Sequence, residues 1–150
     1  MKRYIGTKII EAEPLTLGDY NLYRGWQIPA DEDPTAKGYL VQYSDGYESW
    51  SPLKQFKEAY RRCDNMPFGL AIEALKKGKK VARIGWNGKN QYIQLATGIS
   101  YKTAAGKIIN CEHEAIGNKA IVFVGTSGVQ MGWLASQADM LADDWIIVEE

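Results

Sequence analysis

Between Pro67 and Gly78 the chain carries one complete helix signal, and almost everything after it reads as short strands. Phe68, Ile72 and Leu75 recur at i, i+4 and i+7, with Ala71 and Ala74 alongside, which is the stripe of a helix that buries one face. Pro67 suits the opening of that helix, and Lys76 and Lys77 in its last turn complement the dipole. Gly78 follows as the stop. Strand patterns then run over Lys80 to Trp86, Gln91 to Ala96, Ala120 to Gly125, Val129 to Leu134 and Trp145 to Glu149. Turn signals separate them at Asn87-Gly88 and around Thr126-Ser127-Gly128, and Thr103 to Gly106 reads as a loop. Ser136 to Asp143 reads as a short helical turn. The expected fold is α+β: one helix packed on a mostly antiparallel sheet of about five strands.

The residues ahead of this pattern form a separate α+β module. Arg3 to Ala12 reads as a strand, and Pro14 to Tyr20 as a turn leading into a short helix. Ile28 to Lys37, rich in Asp, Glu and Pro, is expected to be a surface loop. Gly38 to Tyr43 and Tyr47 to Ser51 make a hairpin about Asp45-Gly46. Pro52 suits the first turn of a helix with Ser51 as its N-cap, and Phe56 and Tyr60 then share a face. The change of pattern lies between Arg62 and Pro67. It divides the chain into an accessory module, 1–64, and a second domain, 65–150.

Charge narrows the partners. Lys+Arg and Asp+Glu balance at 18 each, so no basic excess points to a DNA or RNA polymer. No stretch approaches the roughly 18 apolar residues of a membrane span. The opening residues carry no apolar signal run, and Cys63 and Cys111 belong to no CxxC pair, so the expected setting is cytoplasmic with free thiols. Five Trp and nine Tyr supply many flat rings, suited to a core, an interface or a planar ligand.

Catalytic patterns are thin. His113 lies in Cys111-Glu112-His113-Glu114, too few ligands for a recognisable metal site. No GxSxG elbow, HExxH or Walker loop occurs. Gly85 to Gly88 and Gly125 to Gly128 are Gly-bearing loops without the phosphate-loop lysine. Asp143-Asp144 reads as a solvated turn or cap. No catalytic residue, metal or cofactor is therefore expected.

Two long segments are distinctive: FGLAIEALKKGKKVARIGWNG over residues 68–88 and WLASQADMLADDW over residues 133–145. Together they resemble the second Thoeris anti-defence family of phage and prophage proteins, and the likeness spans residues 66–150. Asp19-Tyr20-Asn21, Tyr23 to Trp26, Gly38 to Val41 and Ser49 to Pro52 are similar to a module found ahead of this domain in phage proteins. The resemblance implies a sponge, in a phage-infected or lysogenic host cell. It binds the immune signal glycocyclic ADP-ribose, holds it intact, and so blocks Thoeris defence. It also implies a homotetramer, a dimer of dimers, with pockets between subunits. In some members it implies further sites for the cyclic oligonucleotides of CBASS defence.

The residues themselves are compatible with such a ligand. Trp86 and Trp133 sit at strand ends where a ring can stack on a purine, although both also suit a core. Tyr92 could add a wall or a hydroxyl. Arg83 could meet a phosphate with parallel hydrogen bonds, with a surface ion pair as the rival reading. Asn87, Ser136 and Gln137 offer neutral donors and acceptors. Asp139 could accept from a ribose hydroxyl or an adenine amine, or cap its own helical turn. Trp145 is expected in the core. Two other functions compete: a phage structural or interaction protein, and a nucleotide-degrading enzyme.

Overall fold

A computed structural model describes residues 1–86, 90–109 and 118–149. The chain divides into two compact units, Met1–Arg61 and Arg62–Glu150. Among the described residues all strand pairings are antiparallel, and the whole is α+β.

The first unit holds β1 (Glu11–Pro14), α1 (Leu17–Tyr23), β2 (Gly38–Gln42), β3 (Glu48–Pro52) and α2 (Leu53–Ala59), with the strands in the order β1-β2-β3. Thr16 Oγ1 caps α1 by accepting from the Asp19 N–H at 3.2 Å. The Asp45-Gly46 turn joins β2 to β3, and Asp45 Oδ1 accepts from the Tyr47 N–H at 3.0 Å. Gly38 is required where β2 passes β3, because a Cβ there would strike the Trp50 indole and the Ser51 carbonyl. That indole donates to the Leu15 carbonyl at 2.8 Å. Tyr20, Leu40 and Val41 are buried, together with Asn21.

Two expectations for this unit change. The strand foreseen from Arg3 begins at Glu11 instead, because Glu11 pairs with Gln42 and β2 turns away directly after it. Ser51 does not cap α2. It stays in β3 opposite Tyr39, and Pro52 takes the cap position with no side-chain bond.

The second unit holds α3 (Phe68–Lys76), β4 (Val81–Arg83), β5 (Tyr92–Thr97), β6 (Tyr101–Lys102), β7 (Ile108–Ile109), β8 (Lys119–Gly125), β9 (Gly128–Met131), α4 (Gln137–Leu141) and β10 (Trp145–Ile147). Five strands form a sheet in the order β10-β4-β5-β8-β9. Gly78 ends α3 with φ 84°, which lets its N–H reach the Leu75 carbonyl and the Lys79 N–H reach that of Ala74. Ala71, Ala74 and Leu75 on α3 meet Met66, Val81, Ile93 and Trp145 in one buried cluster. The last strand lies beside β4, and Met66 and Trp145 exchange backbone hydrogen bonds of 2.8 and 3.0 Å.

The strands are shorter here than their patterns suggest. The Lys80-to-Trp86 stretch is regular strand only over Val81–Arg83, and the closing stretch only over Trp145–Ile147, with one flanking backbone bond at each end, from the Ile84 N–H to the Asp144 carbonyl and from the Val148 N–H to the Lys80 carbonyl. Thr103 to Gly106, expected as a loop, is the turn of a small hairpin between β6 and β7. The pattern foreseen to run to Leu134 stops at Met131. There the N–H groups of both Gly132 and Trp133 bond the Ile121 carbonyl, so two residues oppose one. Met131 pairs with Val122, whose neighbour Phe123 faces Ile93. Regular alternation would send Trp133 to the face of Met131. The bulge reverses that parity and turns Trp133 toward the buried cluster. Asn87-Gly88 and Cys111 to Glu114 lie outside the described residues.

Candidate functional site

Trp145 is wholly buried and forms the centre of a ring cluster. Trp86 meets it edge-on, with centroids 5.5 Å apart and planes at 80°. Trp133 does the same at 6.1 Å and 82°. Trp86 and Trp133 also meet each other at 6.1 Å. Phe68 at the start of α3 packs on Trp145 at 5.3 Å, and Phe123 on β8 packs on Trp86 at 5.6 Å. Trp86 and Trp133 remain half-buried. Each indole is thus fixed by several ring contacts while part of it reaches solvent, so little side-chain entropy remains to be lost on binding a ligand.

Beside this cluster an ion-paired cap holds α4. Arg83, at the end of β4 opposite Trp145, donates from Nε to Asp144 Oδ1 at 2.9 Å and from Nη1 to Asp139 Oδ1 at 3.0 Å. Ser136 and Asp139 form a reciprocal capping box. Ser136 Oγ accepts from the Asp139 N–H, and Asp139 Oδ2 accepts from the Ser136 N–H, each at 3.0 Å. The Trp145 indole N–H donates to the Asp139 carbonyl at 2.9 Å, which ties the ring cluster to the cap.

The electrostatics follow from these bonds. Burial pushes the Asp139 carboxyl upward, but the Ser136 backbone and side chain and the Arg83 guanidinium outweigh it and hold it below the usual carboxylate range. The hydrogen bonds of Arg83 to Asp144 and then Asp139 raise its own pKa further, so it is permanently charged. Both Asp139 oxygens are engaged within the unit, and two of the Arg83 nitrogens are as well. The Nη2 group of Arg83 makes no hydrogen bond among the described residues.

The fold therefore brings Arg83, Trp86, Trp133, Ser136 and Asp139 together, with Gln137 exposed at the first turn of α4. Asn87 lies outside the described residues. Tyr92 is placed apart. Its neighbour Ile93 is buried on the α3 side, so the pleat turns Tyr92 to the opposite face, where Lys80 Nζ sits 4.9 Å from its ring centroid. Asp144 was readable only as a turn residue, yet it is a principal partner of Arg83. No local pattern signals it, because the two are 61 residues apart. An open groove of about 290 Å³ also lies at the β8–β9 turn, lined by Gln91, Phe123, Gly125 and the Thr126-to-Gln130 stretch. The glycines flanking Thr126-Ser127 were its only sequence signal. Among the described residues no group of three or more His, Cys, Asp or Glu is arranged to hold a metal ion, and no helix is long and apolar enough to cross a membrane.

Comparison with known proteins bears on this unit. A family model described as Tad2-like, the Thoeris anti-defense 2-like domain, matches residues 66–148. A curated relative, Thoeris anti-defense 2 of Bacillus phage SP01, is 41% identical over 88 residues, which cover 55% of this chain and 94% of that protein.

Proposed function

The chain belongs to the Thoeris anti-defense 2-like family, and from that premise we propose that it counters Thoeris defence by sequestering a cyclic ADP-ribose-type signal, glycocyclic ADP-ribose, without breaking it. The observation that carries this reading is the pair of half-buried indoles, Trp86 and Trp133, locked around buried Trp145. A cyclic ADP-ribose offers a purine face, two phosphates and ribose hydroxyls. A base stacked on a fixed ring gains roughly 1–3 kcal/mol.

In this reading the indoles supply the stacking surface. Arg83 meets a phosphate through Nη2 while its other nitrogens stay on Asp139 and Asp144, so the phosphate adds to the ion-paired cluster and does not replace it. Asn87, Ser136 and Gln137 supply polar contacts. Asp139 acts through Ser136 and Arg83, whose positions it holds. Tyr92, on the other face of the sheet, belongs to a different surface. Retention needs only non-covalent contacts, so the proposed role is binding and not catalysis. A homotetramer with shared pockets, and a separate site for cyclic oligonucleotides, complete the proposal.

Calorimetric titration with glycocyclic ADP-ribose, followed by heat release of the ligand, tests it. Tight binding with intact ligand recovered supports the sponge. Trp86→Ala and Trp133→Ala should each weaken binding by about tenfold or more, equal to about 1.4 kcal/mol. Absence of binding overturns the reading, and a chemically altered ligand replaces it with an enzyme.

A further inference from the structure

In the second unit α3 packs over β10, β4 and β5, and the groove at the β8–β9 turn lies toward the other end of the same sheet. Strand pairing fixes which side chains reach it. Ile93 is buried on the α3 side and pairs with Phe123, which pairs with Gln130. Residues opposite one another share a face, as do residues two apart along a strand. Gln91, Phe123, Gly125, Gly128 and Gln130 therefore all stand on the α3 side. Phe123 walls the groove, and its ring also meets Trp86 at 5.6 Å. Gly125 adds no side chain to the floor, and a Cβ there would stand 2.9 Å from the Phe123 ring.

The chemistry of the lining is uncharged. Among the described residues, it includes no ionisable side chain. Its polar side chains are the amides of Gln91 and Gln130 and the hydroxyls of Thr126 and Ser127. None of these four hydrogen-bonds to another described residue, so their donors and acceptors are uncommitted. Amides and hydroxyls both donate and accept, which matches the hydroxyls of a sugar. A phosphate only accepts, and is held best by a cation. The volume of about 290 Å³ lies at the bottom of the range for ligand pockets, roughly 300–1,000 Å³, and suits one moiety of a ligand.

We propose that this groove is a ribose subsite of the indole site, in which Gln91 and Gln130 hold the hydroxyls of one ribose of glycocyclic ADP-ribose. The inference rests on the sponge reading and adds two residues that select for an intact sugar. Trp86 touches Trp145 on β10 and Phe123 on β8, so it lies between Arg83 and the groove. Arg83 on β4 and the groove over β8 and β9 are two to three strand spacings apart, roughly 10–14 Å. That separation suits a ligand carrying phosphate, base and sugar together. The phosphate meets Arg83, the base lies on the indoles, and the sugar turns into the groove.

Calorimetric titration of the full chain with glycocyclic ADP-ribose tests the subsite, at about 0.15 M salt to screen distant charges. Gln91→Ala and Gln130→Ala should each weaken binding by about two- to tenfold. Both should leave the melting temperature unchanged, because neither amide bonds within the described fold. Gln130→Glu should retain binding, since a carboxylate accepts from sugar hydroxyls, and Gln130→Lys should bind no tighter than the parent. Parent-like affinity in both alanine variants overturns the subsite and leaves the sponge reading standing. A gain of about tenfold in Gln130→Lys with a matching loss in Gln130→Glu overturns it too, because a phosphate then occupies the groove. Absence of binding by the parent chain overturns the sponge reading and the subsite with it.

Discussion

The two units solve the same problem with different materials. The second gathers Met66, Ala71, Leu75, Val81, Ile93 and Trp145 into an apolar cluster behind one helix. The first buries only Tyr20, Leu40 and Val41 as large apolar groups and adds Asn21, a fully buried amide. Asn21 Nδ2 donates to Glu32 Oε2 at 3.0 Å, and its Oδ1 accepts from Arg24 Nε and Nη2 at 3.3 and 2.9 Å. The Arg24 guanidinium in turn lies 3.4 Å from the Trp26 ring centroid and 4.6 Å from that of Tyr20. About 60 residues bury too little apolar surface for a generous core. The first unit supplements it with a polar hub, so it should be sensitive to losing one bond where the second is sensitive to losing volume.

The largest expected effect is at Trp145. Trp145→Ala removes the central ring and the indole bond to the Asp139 carbonyl, and should destabilise the second unit by about 3–5 kcal/mol in chemical denaturation. A loss below about 1 kcal/mol would show that the ring cluster is not its keystone. Next is Asn21→Ala, which strands Arg24 and Glu32 and should lower the first unit by about 1–3 kcal/mol. Hydrogen exchange resolved by segment would show faster exchange in α1 and β2. An equal change across the core of the second unit would dissolve the contrast between the two.

A smaller effect is expected at the α4 cap. Ser136→Ala should cost about 1 kcal/mol, read as a lower melting temperature. The smallest is a pH effect. Asp139 has a lowered pKa in the fold, so on acidification the unfolded chain takes up its proton first. Its contribution is complete above the unfolded carboxylate value of about 4 and is lost as pH falls through the folded value. Asp139→Asn should flatten that acid limb and leave the profile above pH 6 parallel to the parent's. An unchanged acid limb would mean the carboxylate is not held by Ser136 and Arg83.

What could be read in advance follows the range of the interactions. The α3 stripe, the Gly78 stop and the Asp45-Gly46 turn depend on neighbours a few residues away, and each lies where its pattern indicated. The buried position of Trp145 was legible too, because an apolar closing strand needs a core. The true start of β1 was not, since it depends on where a different strand turns. Nor was the face of Tyr92, which depends on the register of β5 against β4 and β8. The orientation of Trp133 depends on one bulge that no alternation pattern reveals. Arg83 could be foreseen as either a phosphate ligand or an ion pair. Its two carboxylates, 56 and 61 residues onward, are a product of topology.

The placement of β10 beside β4 also has a consequence for synthesis on the ribosome. Trp145 fills the middle of the second unit, and its backbone closes onto Met66 at the other end of that unit. Until residues 145–147 have left the exit tunnel, α3 has no central ring to pack on, and β4 keeps one open edge. The first unit, whose strands pair with their nearest neighbours in sequence, can finish folding while the second is still being made. During that interval the apolar face of α3 and the ring of Trp86 stand exposed, and a pause in translation ahead of Trp145 would lengthen the exposure.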